Sequence, residues 1–119
     1  MDFPGATIER LTDAYHRAAS AHGEATVAGD HKAANRNHDV LAAVYRELRA
    51  RGASAQKTLL PLMQDPDDSV RCWAGSHCLE FAPEQAEPVL RALSESRGIL
   101  AFNAKMTLRE WRKGNLSFP

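Results

Sequence analysis

The sequence predicts an all-α protein of about six helices, arranged as three helical hairpins that stack into an α-α superhelix. Three observations predict it. Apolar residues recur at helical spacing along nearly the whole chain, and no stretch alternates convincingly as a strand. The stretch Leu59–Leu79 reads as an apolar helix, an acidic turn and a second helix opening at Val70-Arg71. Apolar or small residues also recur thirty positions apart: Val40, Val70 and Leu100; Val44, Ala74 and Ala104; Leu48, Cys78 and Leu108. In the odd-numbered helices Leu59 matches Val89, Leu60 matches Leu90, and Met63 matches Leu93. A single helical hairpin cannot bury its own apolar face, so stacked hairpins need equivalent residues at equivalent places.

Helix 1 is expected from about Ala6 into the twenties, with Ile8, Leu11, Tyr15, Ala18, His22 and Ala25 on one face. The register carries through Gly23, and the break is placed at Gly29-Asp30, where Asp30 can cap the next helix. Helix 2 follows from about His31 to Arg51, with Ala34, Leu41, Val44, Tyr45 and Leu48 inward. Gly52 stops it, and Arg49 and Arg51 suit its negative end. Asn37 falls inside the apolar stripe and needs a hydrogen-bond partner there. Helix 3 is expected over Ser54–Gln64, capped by Ser54 and bent or confined by Pro61. Asp67 or Asp68 opens helix 4, which should run to about Phe81 with Val70, Ala74, His77, Cys78 and Phe81 on one face. Pro83 suits the first position of helix 5, whose apolar face is Ala86, Val89, Leu90 and Leu93. Helix 6 covers about Leu100–Lys113 with Ala101, Ala104, Leu108 and Trp111 inward, and Gly114 closes it.

Size and composition bound the function. The 119 residues suit one domain spanning the whole chain. Fifteen basic and fifteen acidic residues cancel, which disfavours a nucleic-acid partner. No apolar run approaches the roughly 20 residues that span a bilayer, and no signal peptide is visible at the start. Cys72 and Cys78 lie about 9 Å apart along one helix, too far for a disulfide. A cytoplasmic protein with two buried thiols is expected.

The pattern Leu-x-x-Leu-x-x-Asp-x-x-x-x-Val-Arg-x-x-Ala, from Leu59 to Ala74, resembles a HEAT repeat. The resemblance implies a HEAT/armadillo-like pairing and roles for Asp65 and Arg71 in linking neighbouring repeats. Leu41 and Ala101 stand thirty residues from Arg71, so no ladder of such pairs can run along the chain. Gly29-Asp30, Asn35, Val70-Arg71-Cys72-Trp73-Ala74 and the segment Phe102 to Gly114 are together similar to a bacterial family of small HEAT-like domains of unknown function. Some relatives in that family look like immunity proteins, which neutralise a toxin by binding it.

The candidate site residues are Asn35, His38, Trp73, His77, Lys105 and Arg109. His31, Asn35 and His38 share one side of helix 2, but the two histidines are about 10 Å apart along the axis, too far for one metal ion. Asn35 or Asn37 with His38 instead suits hydrogen bonds to a neighbouring helix end. Adjacent His77 and Cys78 diverge by about 100° on a helix, so they do not form a thiol–imidazole pair. Trp73, at the edge of its stripe, serves either interhelical packing or a partner. Lys105, Arg109, Arg112 and Lys113 make the last helix basic and, with Arg46, Arg49, Arg51 and Lys57, suggest a basic strip on the even-numbered helices.

The expected function is non-catalytic protein recognition across a concave surface, as an inhibitor or immunity protein facing a protein partner such as a toxin. No catalytic residue, metal or cofactor is assigned, and the chain is expected as a monomer or weak homodimer. The competing reading is a DNA-directed or small-molecule enzyme, since HEAT-like folds also carry enzymes.

Overall fold

The computed structural model describes residues 3–119. Among them the chain is all-α, with no strand, and it forms two compact units: residues up to Leu59 together with Pro119, and Leu60–Phe118.

The first unit is built on a long helical hairpin. Helix α1 (Ile8–Ala28) and α2 (His31–Arg51) pack along one another across a two-residue turn. Thr7 caps α1 by accepting the Arg10 N–H at 3.1 Å. Gly29 ends it at φ 74°, a left-handed conformation that costs glycine nothing. The Asp30 N–H then reaches back to the Ala25 carbonyl at 2.9 Å, and the Asp30 carboxylate accepts the Ala33 N–H at 3.1 Å. Two adjacent residues thus satisfy both helix ends, which is why the turn is so short. Leu11, Tyr15, Ala18 and Ala19 from α1 are buried, as are Leu41, Val44, Tyr45 and Leu48 from α2. Asn37 is half-buried and donates to the Ala33 carbonyl at 2.9 Å, so its partner lies in its own helix and not at a neighbouring helix end. The Arg51 guanidinium anchors the leading segment through the carbonyls of Phe3 (3.0 Å) and Pro4 (3.2 Å).

The segment expected as a third helix over Ser54–Gln64 differs. Helix α3 is a single turn, Ala53–Gln56, and the chain continues as a 3-10 helix over Lys57–Gln64. Ser54 does not cap it; Gly52 occupies that position and no side chain caps the end. Pro61 explains the tightening. It has no N–H to donate, and its ring crowds the preceding turn in α geometry, so the backbone shifts to the three-residue pattern.

The second unit holds the end of the 3-10 helix, α4 (Asp68–Cys78), α5 (Pro83–Ser94) and α6 (Ile99–Arg112). Helix α4 packs on both α5 and α6, which also pack on each other. Asp67 is the cap of α4, accepting the N–H groups of Ser69 (2.8 Å) and Val70 (3.4 Å). Asp67→Ala should cost about 1 kcal/mol. A thermal melt should then fall by about 4 °C, and an unchanged midpoint would remove the cap from the account.

Helix α4 stops at Cys78, three residues short of the expected Phe81. Ala82 adopts φ −143° before Pro83, because the residue before a proline is disfavoured in the α region. Pro83 takes the first position of α5 as expected. Trp111, expected inward, is half-buried, as is common for the largest side chain. The core of this unit comprises Met63, Val70, Cys72, Ala74, Cys78, Leu79, Ala86, Leu90, Leu93, Ala101, Ala104 and Leu108. The columns thirty apart agree in part: Val44, Ala74 and Ala104 are completely enclosed, and Leu48, Cys78 and Leu108 are buried, as are Met63 and Leu93. Val70 is buried while Val40 and Leu100 are half-buried, and Leu59 and Leu90 are buried while their partners Val89 and Leu60 are half-buried.

Candidate partner-binding surface

The six candidate residues divide between the units. Asn35 and His38 belong to the first, and Trp73, His77, Lys105 and Arg109 to the second. Asn35 and His38 are both exposed on α2. His38 Nδ1 lies 3.5 Å from the Asp39 carboxylate. Its charge also reaches His22 of α1: burial first, and then the His38 charge, push the His22 imidazole below its ordinary value of 6.5. Among the described residues no three His, Cys, Asp or Glu side chains gather to hold a metal ion.

Helix α4 brings Trp73 and His77 together. One helical turn apart, their rings lie 5.8 Å between centroids at 38°. His77 is buried and Trp73 half-buried, so the indole forms the accessible edge of this pair.

The two thiols are buried and unbridged. Burial pushes Cys78 up to about 12. It pushes Cys72 up to about 11, with a hydrogen bond from Ser76 pulling the other way. The thiolate is the reactive form, and burial therefore suppresses it. A disulfide reagent at pH 8 should label the native protein far more slowly than the urea-unfolded chain. Equal labelling rates would contradict this burial. Above about pH 9 the unfolded chain loses these protons before the folded one does, so stability should decline as pH climbs from 9 toward 11.

On α6, Lys105 and Arg109 are exposed one turn apart, and among the described residues neither side chain has an ion-pair partner. The sequence reading missed two features of this unit. Ile99 and Phe102 stand 52% and 59% exposed at the start of α6. Once the register of α6 is known, Phe102 falls opposite Ala101, Ala104 and Leu108, and that pattern was available in the sequence. The second feature is a groove of about 420 Å³ between α4 and α5, lined mainly by Met63, Pro88, Val89, Ala92 and Leu93. Arg71 and Asp68 edge it. The Arg71 guanidinium donates to the main-chain carbonyls of Asp65 (2.8 Å) and Pro66 (3.2 Å) and pairs with the Asp68 carboxylate. The Asp65 carboxylate accepts the Asp67 N–H at 2.9 Å. Arg71 thus meets Asp65 through the backbone of its own turn.

Residues 9–111 match a family model described as a domain of unknown function, DUF2019. The chain belongs to this family. No curated protein matches it. Its fold is similar to that of the protein RPA1889 from Rhodopseudomonas palustris CGA009, at a TM-score of 0.91 and 26% identity. That similarity covers 100% of this chain and 99% of the other. In this DUF2019 domain no helix among the described residues is long and apolar enough to cross a membrane.

Proposed function

We propose that this DUF2019 domain is a non-catalytic protein-binding module, built on HEAT-like helical hairpins and acting in the cytoplasm as an inhibitor of the kind immunity proteins represent. One observation carries the reading. Lys105 and Arg109 project from α6 without internal partners among the described residues, whereas Cys72, Cys78 and His77 are enclosed. The side chains offered to solvent suit recognition, and those with nucleophilic chemistry are withheld from it. The half-buried indole of Trp73 and the exposed Asn35 and His38 are further contact candidates, each on its own unit.

Co-purification of the tagged chain from its native cells tests the reading. A stoichiometric protein partner is expected, with capture reduced by Lys105→Glu or Arg109→Glu. Recovery of no protein, together with turnover of a small molecule, would overturn it.

A further inference from the structure

We infer that the outward face of α6 docks an acidic, amphipathic segment of a protein partner, with Phe102 as apolar anchor and Lys105 and Arg109 as charge contacts. The inference rests on the protein-binding reading above and specifies the chemistry of the partner.

The geometry of α6 carries it. At about 100° per residue, Ile99, Phe102, Lys105, Arg109 and Lys113 fall on one side of the helix. All five are exposed and Met106 on the same side is half-buried, while Ala101, Ala104 and Leu108 on the other side are buried. A single exposed apolar side chain is ordinary. Here two large ones stand three residues apart and run directly into a row of cations. An aromatic anchor beside arginine is the composition that protein interfaces favour at their centres.

Charge complementarity names the occupant. No Asp or Glu shares this face; Glu110 is half-buried on its flank, and Arg112, beyond Lys105, is 3.4 Å from Glu87. A carboxylate-bearing segment therefore meets attraction without a competing internal acid. Lys105 lies about 4.5 Å, and Arg109 about 10 Å, beyond Phe102 along the axis. The partner should present an apolar residue followed by carboxylates one to two helical turns away. Duplex nucleic acid fits less well, because Ile99 and Phe102 would face phosphate and the cations cover only the later turns. The whole chain carries no basic excess.

A displayed library of random 16-residue peptides, selected against the full chain, tests this directly. Enriched sequences should pair one large apolar residue with an excess of Asp and Glu. Phe102→Ser should weaken the selected peptides by about 30-fold. Lys105→Glu with Arg109→Glu should abolish their binding, while melting temperature and helical circular dichroism stay unchanged because all three sites are exposed. Enrichment of neutral or basic peptides, indifferent to these variants, would overturn the α6 inference while leaving the protein-binding reading intact. Absence of any enriched peptide would overturn it as well. So would a 20-base-pair duplex or vesicles of anionic lipid binding this face more tightly than the selected peptides.

Discussion

Tyr45→Ala should destabilise the protein by about 3–5 kcal/mol, a large share of the roughly 5–15 kcal/mol that holds a domain folded. Tyr45, on the inward stripe of α2, is completely buried. Arg49 lies 5.5 Å from the ring centroid, and the Gln56 side-chain amide donates to the phenol oxygen at 3.1 Å. Truncation removes the buried ring and leaves a cavity around it. In a urea titration the midpoint should fall by about 2 M with an unchanged slope. Tyr45→Phe keeps the ring and should cost only about 1 kcal/mol, since the half-buried Gln56 can turn toward water. An alanine variant as stable as the phenylalanine variant would refute the packing account.

Gly75→Val should cost about 3 kcal/mol for a different reason. A Cβ at this position would lie 3.2 and 3.3 Å from Leu90 Cγ and Cδ2, and 3.7 Å from Val89 Cγ1. Helices α4 and α5 approach each other here because glycine has no side chain. Alanine gains helix propensity of about 1 kcal/mol while asking Leu90 to shift slightly, so its net effect should be small. Valine adds two methyl groups with a restricted rotamer into filled space. The diagnostic is the double variant. Gly75→Val combined with Leu90→Ala should be more stable than the two separate losses add up to, by about 1 kcal/mol or more. Strict additivity would show that Leu90 is not the neighbour that resists.

Those two sites also show what the sequence makes readable. Tyr45 belongs to a stripe that repeats every three or four residues, and α2 has the bounds expected for it because Asp30 and Gly52 are both chemical punctuation. Asp67 is readable for the same reason. The stretch Ala53–Gln64 is not, because Ser54 is a good capping residue standing two places past the cap, which falls at Gly52. Pro61 signalled a disturbance without specifying that the backbone would tighten into a 3-10 form. Gly75 carries no local signal at all, since its role is set by Leu90, fifteen positions away. The candidate surface was half legible. The cations of α6 stand out by type, and Trp73 and His77 by spacing. Phe102 is legible as well, since setting Ala101, Ala104 and Leu108 inward already turns it toward the outer side of α6.

Arg71 spends its guanidinium on two main-chain oxygens and on Asp68, so the recess beside it, although rimmed by a cation, offers a visiting anion almost no net attraction. A ligand entering against Val89 and Leu93 would therefore be held mainly by apolar contact, with little help from charge.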